Sequence, residues 1–207
     1  NKPETAKQML EIASNETERL VRLVNDILDL ERLEASQVTI VKQWCDAQVL
    51  MQKSAEAVMS LAAENKINLS ILPSSAQIWA DPDRIVQMLV NLLSNAIKFS
   101  PLGSTVSVRV EDLGDSLRDS YASRVVFEVK DRGRGIPADK LESIFGRFQQ
   151  VDASDSRQKG GTGLGLAICR SIVQQHGGRI WAESVVSEGA SFYFTVPAPL
   201  EGEGSFS

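Results

Sequence analysis

The chain has 207 residues, 43% of them hydrophobic and 24% charged, with a formal net charge of −5. That length gives one ordinary domain plus an appendage. The acidic balance argues against nucleic acid as a partner, which would demand a basic face, so any phosphate site must be assembled locally from backbone N–H groups, a few cations and a metal. No apolar run approaches a membrane span, and the start "NKPETAKQML" is no signal peptide. A soluble, cytoplasmic piece is therefore expected, whether or not a longer parent chain is anchored at a membrane. Cys45 and Cys169 fit no zinc or redox spacing and read as reduced thiols filling apolar space.

Residues 4–35 read as one long amphipathic helix. Met9, Ala13, Leu20, Leu23, Ile27 and Leu30 recur at spacings of three, four or seven, and Leu10, Val24 and Leu28 widen the stripe. Such a face calls for a partner helix. After Ser36, "QVTIVKQW" has strand character, and Asp46 can cap a helix reaching about Asn65. "INLSIL" and "QIWA" predict strands separated by the turn "PSSA". Asp81-Pro82 is a helix start, and that helix should carry Ile85, Met88, Leu89, Leu92, Leu93, Ala96 and Ile97 inward and stop before Pro101. "TVSVRVEDL" and "RVVFEVKD" predict paired strands around a polar loop, 114–122. A glycine loop, "DRGRGIP", and a short helix, "ADKLESIF", come next, then a polar segment, 149–162. A last helix from Gly163 to His176 and two strands, "GRIWAESV" and "ASFYFTVP", close the domain; "APLEGEGSFS" reads as a linker stub. The expected class is α+β, one mixed sheet with helices on one face.

Three stretches carry chemistry. In "NLLSNAIKFS", Asn91, Asn95 and Lys98 stand at i, i+4 and i+7, so one helix face presents two amides and a cation. An amide oxygen suits Mg²⁺, and lysine is a flexible charge for phosphate. In "DRGRGIP", two alternate glycines let the backbone approach a ligand, and Asp131 ends a strand as a pure acceptor that can read the adenine N6 amine. In "KGGTGLGLA", glycines lead into a helix whose first N–H groups and dipole favour an anion. It is not a Walker loop, since no Lys-Ser or Lys-Thr follows at the required spacing.

Taken in order, "NLLSNAIKF", "DRGRGIP", "FGRF" and "GGTGLGLA" resemble the N, first glycine, F and second glycine boxes of sensor histidine kinases, members of the Bergerat-fold ATPase superfamily. The resemblance implies a two-layer α/β sandwich binding ATP and Mg²⁺ under a lid. It implies Asn95 as the metal ligand with Asn91 beside it, and Lys98 facing phosphate. Asp131 would read adenine, with Gly133, Gly135 and Ile136 shaping its loop. Phe145 and Phe148 would anchor the lid, with Arg147 between them as a catalytic cation. Lys159, Gly161, Thr162, Gly163, Leu164, Gly165 and Leu166 would surround the phosphates. Gln150 stands where the family often has a second arginine, as in hybrid kinases. That leaves Arg147, Arg157 and Lys159 all open as the γ-phosphate contact.

"LVNDILDLERLEAS" resembles the second helix of the dimerisation and phosphoacceptor hairpin. The implied organisation is 1–36 for that helix, 37–198 for the ATP-binding domain and 199–207 for the stub. The accepting histidine is expected upstream of residue 1, on a helix of the same or a partner protomer. A response-regulator receiver domain is the implied downstream partner and a homodimer the implied assembly. Hydrolysing relatives place a glutamate four residues before the metal-binding asparagine; here Asn91 stands there and cannot act as a base. That favours a phosphotransferase over a nucleotide-sensing module without kinase activity, or an anti-sigma-type serine kinase. His176, the only histidine, is expected to end the last helix, roughly 16 Å from the phosphates by helical rise.

Overall fold

The computed structural model describes residues 2–35, 39–112, 124–149 and 162–197. The first helix, α1 (Lys2–Glu34), is followed by β1 (Gln43–Asp46), α2 (Ala47–Ala57), α3 (Met59–Glu64), β2 (Asn68–Ile71), β3 (Gln77–Ala80) and α4 (Pro82–Phe99). After these come β4 (Thr105–Asp112), β5 (Arg124–Lys130), α5 (Gly165–Gln175), β6 (Ile180–Val185) and β7 (Gly189–Pro197). Five strands form one mixed sheet in the order β2-β4-β5-β7-β6, parallel only between β2 and β4. Helices α2, α4 and α5 cover one face, giving the expected two-layer α+β sandwich. No helix among the described residues is long and apolar enough to cross a membrane.

The sheet's register explains both of its faces. Val110, Phe127, Phe194 and Ile180 stand in one row across β4, β5, β7 and β6, and the Phe127 and Phe194 rings stack at 4.5 Å in the core. The next row, Arg109, Glu128, Tyr193 and Trp181, lies on the other face. There Glu128 accepts from Arg109 and from the Tyr193 hydroxyl, and Tyr193 stacks on Trp181 at 5.1 Å. Alternation with period two sorts these rows, apolar inward and paired polar or aromatic outward.

Several expectations from sequence need correction. The strand in "QVTIVKQW" is only Gln43–Asp46 among the described residues, because the Val41 N–H is taken by the Asp81 carboxylate at 3.0 Å instead of a strand partner. The helix reaching Asn65 is two helices, interrupted at Val58, whose backbone (φ −106°, ψ 6°) departs from helical geometry. β2 and β3 are strands as expected, but instead of one sheet there are two: β2 joins β4, while β3 pairs antiparallel with β1 as a separate ribbon. "ADKLESIF" forms two short 3-10 turns, Ala138–Lys140 and Ser143–Phe145. α5 begins at Gly165, since Gly163 has φ +73°, outside the right-handed helical region. Residues 113–123, which cover the expected polar loop, lie outside the described residues, as do 150–161 and 198–207.

α1 splits along its length. Leu30 and Leu33 are buried and Leu23 packs against the core, but Met9, Leu10, Leu20 and Val24 are more than half exposed. α1 seats on α5, and its buried residues, Leu30 and Leu33, lie in its C-terminal part. Both cysteines are buried and unpaired; burial raises the Cys45 thiol and pushes Cys169 up to about 12.

Candidate functional site

A cavity of about 390 Å³ lies where α4, α5, the loop after β5 and α1 converge. α4 presents its polar stripe there because the rest of the helix is committed elsewhere. Asp81 caps it by accepting from the Asp83 and Arg84 N–H groups, Pro82 opens it, and the seven apolar residues expected inside are all buried. That leaves half-buried Asn91, Asn95 and Lys98 lining the cavity. Asp131, Gly135 and Ile136 line it from the loop after β5, and Thr162, Gly163, Gly165 and Leu166 from the start of α5.

At one end, the structure closes tightly around Asp131. The side chain is 5% exposed, and its Oδ1 accepts from the N–H groups of Gly133 at 2.7 Å and Ala190 at 3.2 Å. Its Oδ2 has no hydrogen-bond partner among the described residues. Burial raises the Asp131 pKa, and the two N–H donors partly offset it. The glycines around it have no room for a side chain. A Cβ on Gly135, at φ +72°, would sit 2.2 Å from the Val185 carbonyl oxygen; one on Gly133 would sit 2.6 Å from that of Phe99.

At the other end, side chains rather than backbone set the boundary. Burial lowers the Lys98 pKa; Arg22 lowers it further and Asp26 raises it. The Asn95 amide lines the cavity with no hydrogen-bond partner among the described residues, whereas Asn91 Nδ2 donates to the Gly165 carbonyl at 3.5 Å. A Cβ on Gly165 would meet only Asn91, at an ordinary 3.7 Å, so open space lies before the first residue of α5. That helix has no side-chain cap from its N-cap residue, Leu164. Its orphan N–H groups and this space are what an anion requires.

Not every expected site residue is part of the lining. Gly133 and Leu164 are buried and do not line it. Phe148 is 61% exposed with φ +57°, and its Cα lies 3.0 Å from where a Gly163 Cβ would be. Arg147 points to α1, donating to Glu34 at 3.2 Å and Glu31 at 3.1 Å. Lys159 and Gly161, with Gln150 and Arg157, lie outside the described residues. Conversely, the cavity includes Arg22, Asp26, Phe99 and Arg134, which sequence reasoning did not select. Arg134 stands over the Phe99 ring at 5.1 Å, inside two motifs already read, so adjacency could have found that pair.

His176 does not belong to this site. It is 2% exposed at the end of α5; its Nδ1 bonds the Ile172 carbonyl at 2.8 Å, and its Nε2 accepts from the Asp81 N–H at 3.1 Å. An acceptor at Nε2 and a carbonyl at Nδ1 require the neutral tautomer protonated at Nδ1. Burial lowers its pKa accordingly, so the ring is not the cation that the helix dipole alone would favour. It clips the end of α5 to the start of α4, and Gly177 follows at φ +78°.

Residues 80–200 match the family described as histidine kinase-, DNA gyrase B- and HSP90-like ATPase, and residues 1–36 match the His Kinase A (phospho-acceptor) domain. Sensor protein kinase WalK of Staphylococcus saprophyticus is 35% identical over 98% of this chain, and WalK of Staphylococcus aureus is equally similar. The chain spans 32% of the first and 48% of the second, so it corresponds to half or less of the curated relatives it matches. Among solved structures, full-length ShkA in complex with AMPPNP superposes with a TM-score of 0.71 at 30% identity, covering 95% of this chain and 39% of that one. Histidine kinase ThkA in complex with response regulator protein TrrA gives 0.72 at 28% identity, covering 96% of this chain and 53% of that one.

Proposed function

Because the chain belongs to the histidine kinase-, DNA gyrase B- and HSP90-like ATPase family, we propose that its cavity binds Mg-ATP and that it serves as the phosphate-donating part of a sensor histidine kinase. The carrying observation is the meeting, in one cavity, of the half-satisfied Asp131 carboxylate with Asn95, Lys98 and the uncapped start of α5. Asp131 Oδ2 accepts the adenine N6 amine, and a guanine carbonyl there would face an acceptor. Lys98, Gly163 and Gly165 hold phosphate, while Thr162 and Leu166 bound its path.

The residues present fit Mg²⁺ in a particular way. No group of three or more His, Cys, Asp or Glu side chains that could hold a metal occurs among the described residues, so these residues offer no cage of their own. Asn95 offers one amide oxygen, which suits an ion completing its shell with phosphate oxygens and water. When bound, the ion neutralises charge on the phosphates. In the transfer, an acceptor imidazole nitrogen bonds to the γ-phosphorus, the bond to the β–γ bridging oxygen breaks, and ADP leaves with that electron pair. Asn91 cannot deprotonate water, which spares the γ-phosphate for the histidine.

Residues 1–36 are read as the second helix of the acceptor hairpin, with 37–198 as the nucleotide domain. The exposed stripe at Met9, Leu20 and Val24 suits a first helix and a second protomer. A receiver domain is the next phosphate acceptor, as the ThkA–TrrA complex suggests by likeness. The reading is tested by incubating the chain with γ-labelled ATP and a separate helical hairpin carrying the accepting histidine. Acid-labile label should pass to the hairpin and not to this chain. Label on His176 would overturn it, and ATP binding without transfer would leave a nucleotide sensor.

A further inference from the structure

Two side chains in the cavity come from outside the nucleotide domain. Arg22 and Asp26 stand one turn apart on α1 and line the same space as Lys98 and Asn95. Asp26 is half-buried, and its Oδ2 accepts a 2.7 Å hydrogen bond from the Thr162 hydroxyl. Thr162 Oγ1 in turn accepts from the Leu164 N–H at 3.4 Å. A carboxylate of α1 therefore holds the residue that leads into α5. This turn is anchored further along, where Gln87 donates to Asp29 at 3.0 Å and Gln175 donates to the Leu33 carbonyl at 2.5 Å.

We propose that Asp26 is a resident anion at the phosphate end of the cavity, so that seating of α1 and binding of nucleotide phosphate oppose each other. This rests on the cavity being the adenine-nucleotide site. The reason is one of charge and of bonding. A fixed carboxylate beside Lys98 offsets the cation that phosphate needs, and a phosphate oxygen that engages Thr162 must displace Asp26 from its hydroxyl. Arg22, four residues earlier, acts with the opposite sign. Adenosine, which has no phosphate, senses neither charge, whereas each added phosphate senses both more strongly. α1 thereby sets the preference for triphosphate over shorter nucleotides.

Affinities of adenosine, AMP and ATP are measured for the unaltered chain, Asp26→Asn and Arg22→Gln. Asp26→Asn should tighten ATP by about tenfold and AMP by about twofold at most; Arg22→Gln, at an exposed and better screened position, should weaken ATP by a smaller factor. Adenosine affinity should hold in both variants and doubles as the check that each is folded. Opposite signs are the discriminating feature, because mere loosening of α1 would move both variants in the same direction. An Asp26→Asn variant whose ATP-to-adenosine ratio is unchanged or lower overturns the proposal. Failure of the unaltered chain to bind adenosine removes the nucleotide reading itself, and this proposal with it. Independently, hydrogen exchange of amides 20–30 should quicken with a non-hydrolysable ATP analogue but not with adenosine; unchanged or slower exchange with the analogue overturns it.

Discussion

The two ends of the cavity are built from different materials. Around Asp131 the walls are backbone: carbonyls of Phe99 and Val185 stand where a Cβ of Gly133 or Gly135 would go, and two amide N–H groups fix the carboxylate. Around Lys98 the walls are side chains from three separate elements, among them α1. A base is recognised by a fixed pattern of donors and acceptors, which rewards rigidity. Phosphate chemistry requires charge that can be rearranged, which rewards side chains on elements able to shift.

The contrast can be broken glycine against glycine. Gly135→Ala forces a side chain into the left-handed region and against a backbone oxygen, and should cost about 2–4 kcal/mol of stability, read by thermal or denaturant unfolding. Gly165→Ala meets ordinary contact and should gain up to about 1 kcal/mol from helix propensity, while weakening ATP because the methyl takes phosphate space. If both variants lose stability alike, the two ends are not different in kind.

Asp131→Asn comes next in size. It leaves an amine facing an amine and should lower adenosine affinity roughly 10- to 100-fold with the fold retained. Burial raises the carboxyl's pKa, and the base binds its ionised form, so affinity should decline as pH falls through that raised value. Calorimetry of Asp131→Asn should show no such decline.

The smallest effect concerns the clip that holds the end of α5 to the start of α4. His176 is buried neutral, with its folded pKa below the unfolded value of about 6.5. Its stabilisation is therefore present above that unfolded pKa and is lost as pH falls toward the lowered folded one. Unfolding free energy should drop through this window, and His176→Gln should flatten the drop. A His176→Gln profile that keeps the same slope would assign the pH dependence elsewhere.

What could be read beforehand follows the range of the interaction. The inward face of α4 was legible in full because period 3.6, Asp81 and Pro82 all act within the helix. The site loops were legible as motifs, because backbone approach and positive φ leave glycine as a local mark at Gly135 and Gly163. Pairings across long separations were not. Nothing in "INLSIL" announces a parallel neighbour at Thr105–Val108, and nothing in "QIWA" announces β1. Arg22 and Asp26 were not legible, because a helix with a wide apolar stripe does not specify which neighbouring polar residues turn inward. Arg147 has an expected role at phosphate, yet its partners, Glu31 and Glu34, lie more than a hundred positions away.

The two cysteines, which take no part in any chemistry above, make movement in this molecule easy to observe. Both thiols are enclosed, and burial holds each in the protonated form that alkylating reagents scarcely attack. The native chain should therefore react little with maleimide probes, with no substitution of core residues required. A single cysteine placed at exposed Val21 or Val24 would be the one reactive position, and a fluorophore there would report α1 against the nucleotide domain in real time.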